Sequence, residues 1–203
     1  MAQLSVTWSK FTVHKKHDID RDAPYLWIFG ILVDANTIKA KDYVITKPCV
    51  PGNLGQRKFK KGEHVSVASS LDIVKTVNPL FGYVSAGVVV VAWENAMTTD
   101  ATTTKAYNAA VDAINDFVAD RVASLDLDAP TQAEIDKLSD QIQDDVRATI
   151  KENWSIFQLI HDHYIGSANC IPSIDGDLSL PIDFRFKTGS TDYELNGEFK
   201  YTD

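Results

Sequence analysis

No apolar run in this chain approaches the roughly 20 residues that a membrane-spanning helix needs; the longest lies around Gly87 to Trp93. The amino terminus, MAQLSVTWSKF, lacks a basic segment followed by an apolar one, so no cleavable secretory signal is expected. The expected location is therefore cytoplasmic by default, with non-classical export left open. Two cysteines, Cys49 and Cys170, are too few for a disulfide framework and too far apart for a metal-type spacing. A single bridge between them stays open. Positive charge is short as well: 20 basic residues stand against 28 acidic ones, a net charge of −8. That balance opposes nonspecific attraction to nucleic acid, and none is expected as a partner. Nucleophile elbow, phosphate loop, zinc-protease helix motif and dinucleotide glycine pattern are all missing, which points away from an enzyme.

What is present suits a sandwich of strands. At 203 residues and 44% hydrophobic, the chain can bury a real core. Leu4, Val6 and Trp8 alternate with polar neighbours, and Phe11 and Val13 continue after a change of register. This predicts a first strand with a bulge or bend near Ser9 and Lys10. Pro24 forces the backbone extended into PYLWIFGILVD. Val88 to Val91 is too short for a buried helix and too β-branched for a loop, so it reads as a strand covered on both faces. Ile182, Phe184 and Phe186, the turn KTGSTD, then Tyr193, Leu195, Phe199 and Tyr201 read as a closing hairpin.

A pair of long helices interrupts this pattern. Tyr107, Val111, Ile114, Phe117, Val118 and Val122 recur at helical spacing, predicting a first amphipathic helix from about Thr103 to Ala123. Thr131 and Glu134 form a capping box for a second, whose apolar stripe includes Ile135, Leu138, Ile142, Trp154, Phe157 and Ile160. Asp112, Asp116 and Asp120 on the first, and Asp136, Asp140 and Asp144 on the second, stand at four-residue steps. They form either a solvated acidic face or, if drawn together, metal ligands. The hairpin is also the expected surface for a protein partner or for homo-oligomer formation.

Charged loops supply the candidate chemistry. Asp18, Asp20 and Asp22 fall within five residues, so either they are fully solvated or a cation sits among their oxygens, and hard oxygen donors suit calcium. Arg57, Lys58, Lys60 and Lys61 surround Phe59. They read as an anion-binding patch or as a lysine-rich hairpin end that protects an edge. His161 and His163, with His17, offer a different donor set suited to a transition metal and a hydrolase.

Several stretches together resemble the C2 domain, a calcium- and phospholipid-binding β-sandwich. The acid-rich loop into DAPYLWIF is similar to that family's first loop, TVNPLF to its Asn-Pro turn, VVVVAWEN to the strand entering its third loop, and HDHYIGSANCIP to the segment leaving it. The resemblance implies a mainly β fold, a single C2-like antiparallel β-sandwich over 1–203. A two-helix insertion at about 103–160 would then occupy one end loop. It further implies a calcium site drawn from Asp18, Asp20, Asp22, Glu94 and Asp162, facing an anionic phospholipid surface. Departures accompany it: Ala23 stands at the family's proline-adjacent aspartate, His163 at the acid before its Ile-Gly pair, and Asn95 and Ala96 do not restore a second aspartate after Glu94. The function expected is that of a non-enzymatic binding module, calcium-dependent toward anionic lipid or another acidic ligand through its end loops, the alternative being a metal-free structural or protein-interaction module that assembles through the helical hairpin.

Overall fold

In the computed structural model the described residues are 1–16, 23–55, 58–95, 99–126, 128, 130–152 and 163–203, with backbone alone at 143, 145–147 and 149–152. They form β1 (Gln3–Lys15), β2 (Pro24–Val33), α1 (Ala35–Ala40), β3 (Val44–Thr46), β4 (His64–Ser66), β5 (Ile73–Thr76) and β6 (Ser85–Glu94). Two helices follow, α2 (Asp100–Ala123) and α3 (Gln132–Glu152), and then β7 (His163–Cys170), β8 (Leu178–Lys187) and β9 (Asp192–Thr202). Two antiparallel sheets face each other, one ordered β4-β1-β9-β8 with β5 also on β1, the other β3-β2-β6-β7. The fold is mainly β, a sandwich with two helices inserted between β6 and β7, as the sequence predicts.

Alternation builds the inner core. Leu4, Val6 and Trp8 point inward from β1, and the pairing with β9 then slips between Trp8 and Lys10, so Phe11 and Val13 also point inward. The bulge absorbs one residue and keeps both halves of the strand on the same face. Beside them in the same sheet stand Phe184, Phe186, Leu195 and Phe199 of the closing hairpin, and facing them from the other sheet are Leu26, Ile28 and Leu32 of β2 with Val88 and Val90 of β6.

A second core lies on the far side of the inserted sheet. Tyr25, Trp27, Phe29, Ile31 and Val33, the odd positions of β2, join Val89, Val91 and Trp93 of β6 beneath α2 and α3. Each residue of β2 is consequently buried, and nine of ten in β6 are. Ala106, Ala110 and Ala113 lie buried on α2, and side chains this small let the helix come close to the strands. Aromatic rings lock the contact: Phe29 and Tyr107 stack at 4.8 Å, and Trp27 and Trp93 tilt together at 4.7 Å.

Local chemistry sets the helix ends. The Thr99 side chain caps α2 at Thr102 N–H, so the helix starts three residues ahead of the sequence estimate. The predicted capping box of α3 is present: Thr131 N–H donates to Glu134 at 2.8 Å, and Glu134 N–H donates to the Thr131 hydroxyl at 3.4 Å. Leu138 and Ile142 of its stripe are buried on the sheet. Trp154, Phe157 and Ile160 lie outside the described residues. Both cysteines are free thiols, so the bridge left open by the sequence does not form.

Candidate functional site

Strand register defines one end of the sandwich. Pro24, the first residue of β2, lies opposite Glu94, the last of β6, and Glu94 lies opposite His163, the first of β7. The Asn95 N–H donates to the Ala23 carbonyl at 3.0 Å and extends this row by one step. Asp22 precedes Pro24 by two residues and Asp162 precedes His163 by one. The chain segments carrying these acids therefore attach to neighbouring strand ends. Asp18, Asp20, Asp22 and Asp162 themselves lie outside the described residues, as do His17 and His161.

Glu94 is the one predicted ligand that is described, and it is buried at 3% exposure. Taking a carboxylate out of water is expensive unless its surroundings compensate. Position 94 thus keeps a carboxyl group inside the mouth of the sandwich. His163, its neighbour across the pairing, is exposed. Among the described residues no three His, Cys, Asp or Glu side chains gather as a metal site.

The same end carries a basic rim, of which only the lysine-rich turn was legible beforehand. β1 finishes here with Lys15, β8 with Lys187, and the turn of Lys60 to Glu63 packs beside them. Gly62 N–H donates to the Val13 carbonyl at 2.7 Å and Val13 N–H to the Glu63 carbonyl at 2.9 Å, fixing that turn to β1. Phe59 is buried at 2% exposure with its ring 5.7 Å from Phe11, while Lys58, Lys60 and Lys61 are exposed around it. The anchored ring holds three ammonium groups in water on a rigid turn. Lys15 donates to the Gly189 carbonyl and so ties the β8–β9 turn into the rim.

Beside it, on the outer face of β1, β9 and β8, runs a charged network. Arg185 forks onto Asp192 and also donates to Glu194 at 2.8 Å, whose carboxylate meets His14 at 2.8 Å. The Arg185 hydrogen bond holds Asp192 below the usual carboxylate range, and the His14 hydrogen bond does the same for Glu194.

Elsewhere the charged groups are structural or solvated. Asp34 is 2% exposed, yet it accepts from Asn36, Thr37 and Asn78 N–H at 2.8–2.9 Å and thereby caps α1. Asp112, Asp116, Asp120, Asp136, Asp140 and Asp144 are all exposed, which makes the aspartate ladders a solvated face. Burial pushes the thiols of Cys49 and Cys170 upward, away from reactivity. No helix among the described residues is long and apolar enough to cross a membrane.

No known protein family matches the sequence, and no characterised protein does. Among solved structures the chain is similar to Drosophila C2-DSL-EGF1, at 8% identity and a TM-score of 0.35, with 100% of this chain and 68% of that one covered.

Proposed function

We propose that this protein is a non-enzymatic, C2-like binding module that takes up calcium at the Pro24–Glu94–His163 end and docks there onto an anionic phospholipid surface. Asp18, Asp20, Asp22 and Asp162 would join Glu94 as oxygen ligands, a donor set of the kind calcium prefers. The observation that supports this reading is the shared row of strand ends, from which both acid-bearing segments leave, with exposed lysines around it. Carboxylates alone would repel an anionic surface, and a bound divalent cation reverses that sign locally. Lys15, Lys58, Lys60, Lys61 and Lys187 then add attraction at short range, within a Debye length of roughly 10 Å at 0.1 M salt.

Vesicle co-sedimentation tests the proposal. Binding to phosphatidylserine-containing vesicles should need calcium, weaken with salt, and fall in Lys58→Gln/Lys60→Gln/Lys61→Gln. Binding that is equal in calcium and in chelator would count against it. The second reading, a metal-free interaction module that assembles through the helical hairpin, draws on the exposed aspartate face. It predicts association that ignores calcium and is altered by Asp112→Asn/Asp116→Asn/Asp120→Asn.

A further inference from the structure

One long side of the sandwich is closed and the other is open. On the closed side β7 meets β8, where an added Cβ at Gly166 would lie 3.7 Å from the Phe186 ring. On the open side β3 pairs with β2 and β5 with β1, and neither has a second strand neighbour among the described residues. The two edges are tied together at both ends. At one, the Lys47 ammonium donates to the Asp72 carbonyl; at the other, Asn78 N–H donates to Asp34 at 2.9 Å and Ala35 N–H to the Asn78 carbonyl at 3.0 Å. Beside them opens a groove of about 430 Å³, lined by buried Leu32, half-buried Ile45 and exposed Asp42, Thr46, Lys75 and Thr76.

Register shows which groups of β5 face outward. Val77 N–H donates to the Ala2 carbonyl at 2.9 Å, and hydrogen-bonded pairs alternate along an antiparallel ladder. Lys75 with Leu4 and Ile73 with Val6 are therefore the next bonded pairs. Val74 and Thr76 turn their N–H and C=O groups away from β1, and no hydrogen bond among the described residues uses them. Their side chains stand on the outer face, where Val74 is 57% exposed. The Lys75 side chain shares the face of Leu4 and Ile73 and so turns into the groove. Neither Lys75 nor Asp42, which opens β3 at the α1 end, makes an ion pair among the described residues. Asp34, the other acid of the groove, is engaged with α1 and Asn78.

We propose that this groove is a peptide site: an extended segment of a partner protein adds to β5 as an antiparallel strand, with an acidic residue opposite Lys75 and a basic residue two positions before it, toward Asp42. Free main-chain donors and acceptors at every second residue recognise an extended chain rather than a helix. Lys75 would face its partner in a non-hydrogen-bonded pair, where side chains come closest. An opposite charge is favoured there and a like charge is penalised. The same penalty acts against a second copy as occupant. Two β5 edges joined in the register that uses Val74 and Thr76 on both would set Lys75 against Lys75. On the outer face the exposed Val74 suits a β-branched neighbour. The site draws on none of the residues of the Pro24–Glu94–His163 end and is independent of calcium.

Fluorescence anisotropy tests it, with a Lys-Thr-Glu-Val-Thr peptide, blocked at its amino end and dye-labelled at its carboxyl end, titrated with the full chain in chelator. Binding should saturate, and hydrogen exchange at the Val74 and Thr76 amides should slow. Val74→Pro removes an outward donor while sparing the β1 ladder, and it should weaken binding by about fivefold or more. Lys75→Glu should weaken it by about threefold or more, and a peptide with Lys in place of Glu should bind Lys75→Glu better than it binds the wild type. Absence of saturation with the chain at millimolar concentration overturns the proposal. So does binding that either variant leaves unchanged, or a charge-swapped peptide that does not prefer Lys75→Glu. A wild-type dimer that the peptide disperses would overturn it in favour of a second copy at this edge.

Discussion

Tyr107 shows how much one side chain can do in this fold. Its hydroxyl donates to the Ile28 carbonyl at 3.1 Å and accepts from Lys47 N–H at 2.9 Å, pinning α2 to the middle of the sheet, and burial pushes its ionisation well upward. Tyr107→Phe keeps the ring stack but orphans the buried Ile28 carbonyl and the half-buried Lys47 N–H. It should cost about 1–3 kcal/mol, read as a lower denaturant midpoint. Sequence periodicity placed Tyr107 on the buried stripe correctly. It could not foresee the hydroxyl's role, since both partners are backbone groups about 60 and 79 residues away. The Arg185 network makes a second residue-level prediction. Asp192 and Glu194 have folded pKa values below their unfolded ones, so their contribution is fully present above the unfolded values of about 3.9 and 4.3. It is lost as pH falls through the lower folded values. Acid unfolding should therefore steepen below about pH 4, and Arg185→Leu should flatten that limb in a urea titration repeated across pH.

Among the elements, what could be read from sequence and what could not divide along the source of the pattern. The β1 bulge was legible because it shifts inward-facing positions from even to odd between Trp8 and Phe11. Double burial of β6 was legible because Val88 to Val91 offers no polar face. α2 was harder to read as a close-packed element. Its contact residues, Ala106, Ala110 and Ala113, carry little hydrophobic signal, and they matter through their size. Ala110→Leu should overpack that contact and destabilise the protein by about 1–3 kcal/mol. Leucine at the exposed Asn108 on the same helix should stay within about 0.5 kcal/mol of wild type, by the same denaturant measurement. Gly197 is a comparable case on β9. It sits opposite Trp8 at the bulge, where any Cβ would meet the Thr7 carbonyl and the Trp8 ring, so Gly197→Ala should lower the melting temperature by several degrees.

Across the whole molecule, charged side chains of both signs collect at the ends of the strands. Lys15, Lys58, Lys60, Lys61 and Lys187 gather where β1 and β8 finish, while Asp126, Asp128, Asp175, Asp177 and Asp203 gather at the other extreme. Net charge alone, at −8, says nothing of where the lysines stand, because composition carries no topology. The candidate calcium ligands were legible as a set of acids, and strand pairing adds that their flanking residues share one end. In the proposed site, carboxylates drawn together without a cation would repel each other, so on that proposal the protein should gain stability when calcium arrives. With binding only to the folded state, the gain is about 2.7 kcal/mol at a hundredfold excess of calcium over its dissociation constant.

The most direct measurement is calorimetric titration of calcium into chelator-treated protein, run on the wild type and on Asp20→Asn, Asp162→Asn and Asp140→Asn. The account predicts saturable heat and a raised melting temperature in the wild type and in Asp140→Asn, on the solvated helix face, with both effects diminished in Asp20→Asn and Asp162→Asn. No heat, together with identical melting in millimolar calcium and in chelator, would contradict it.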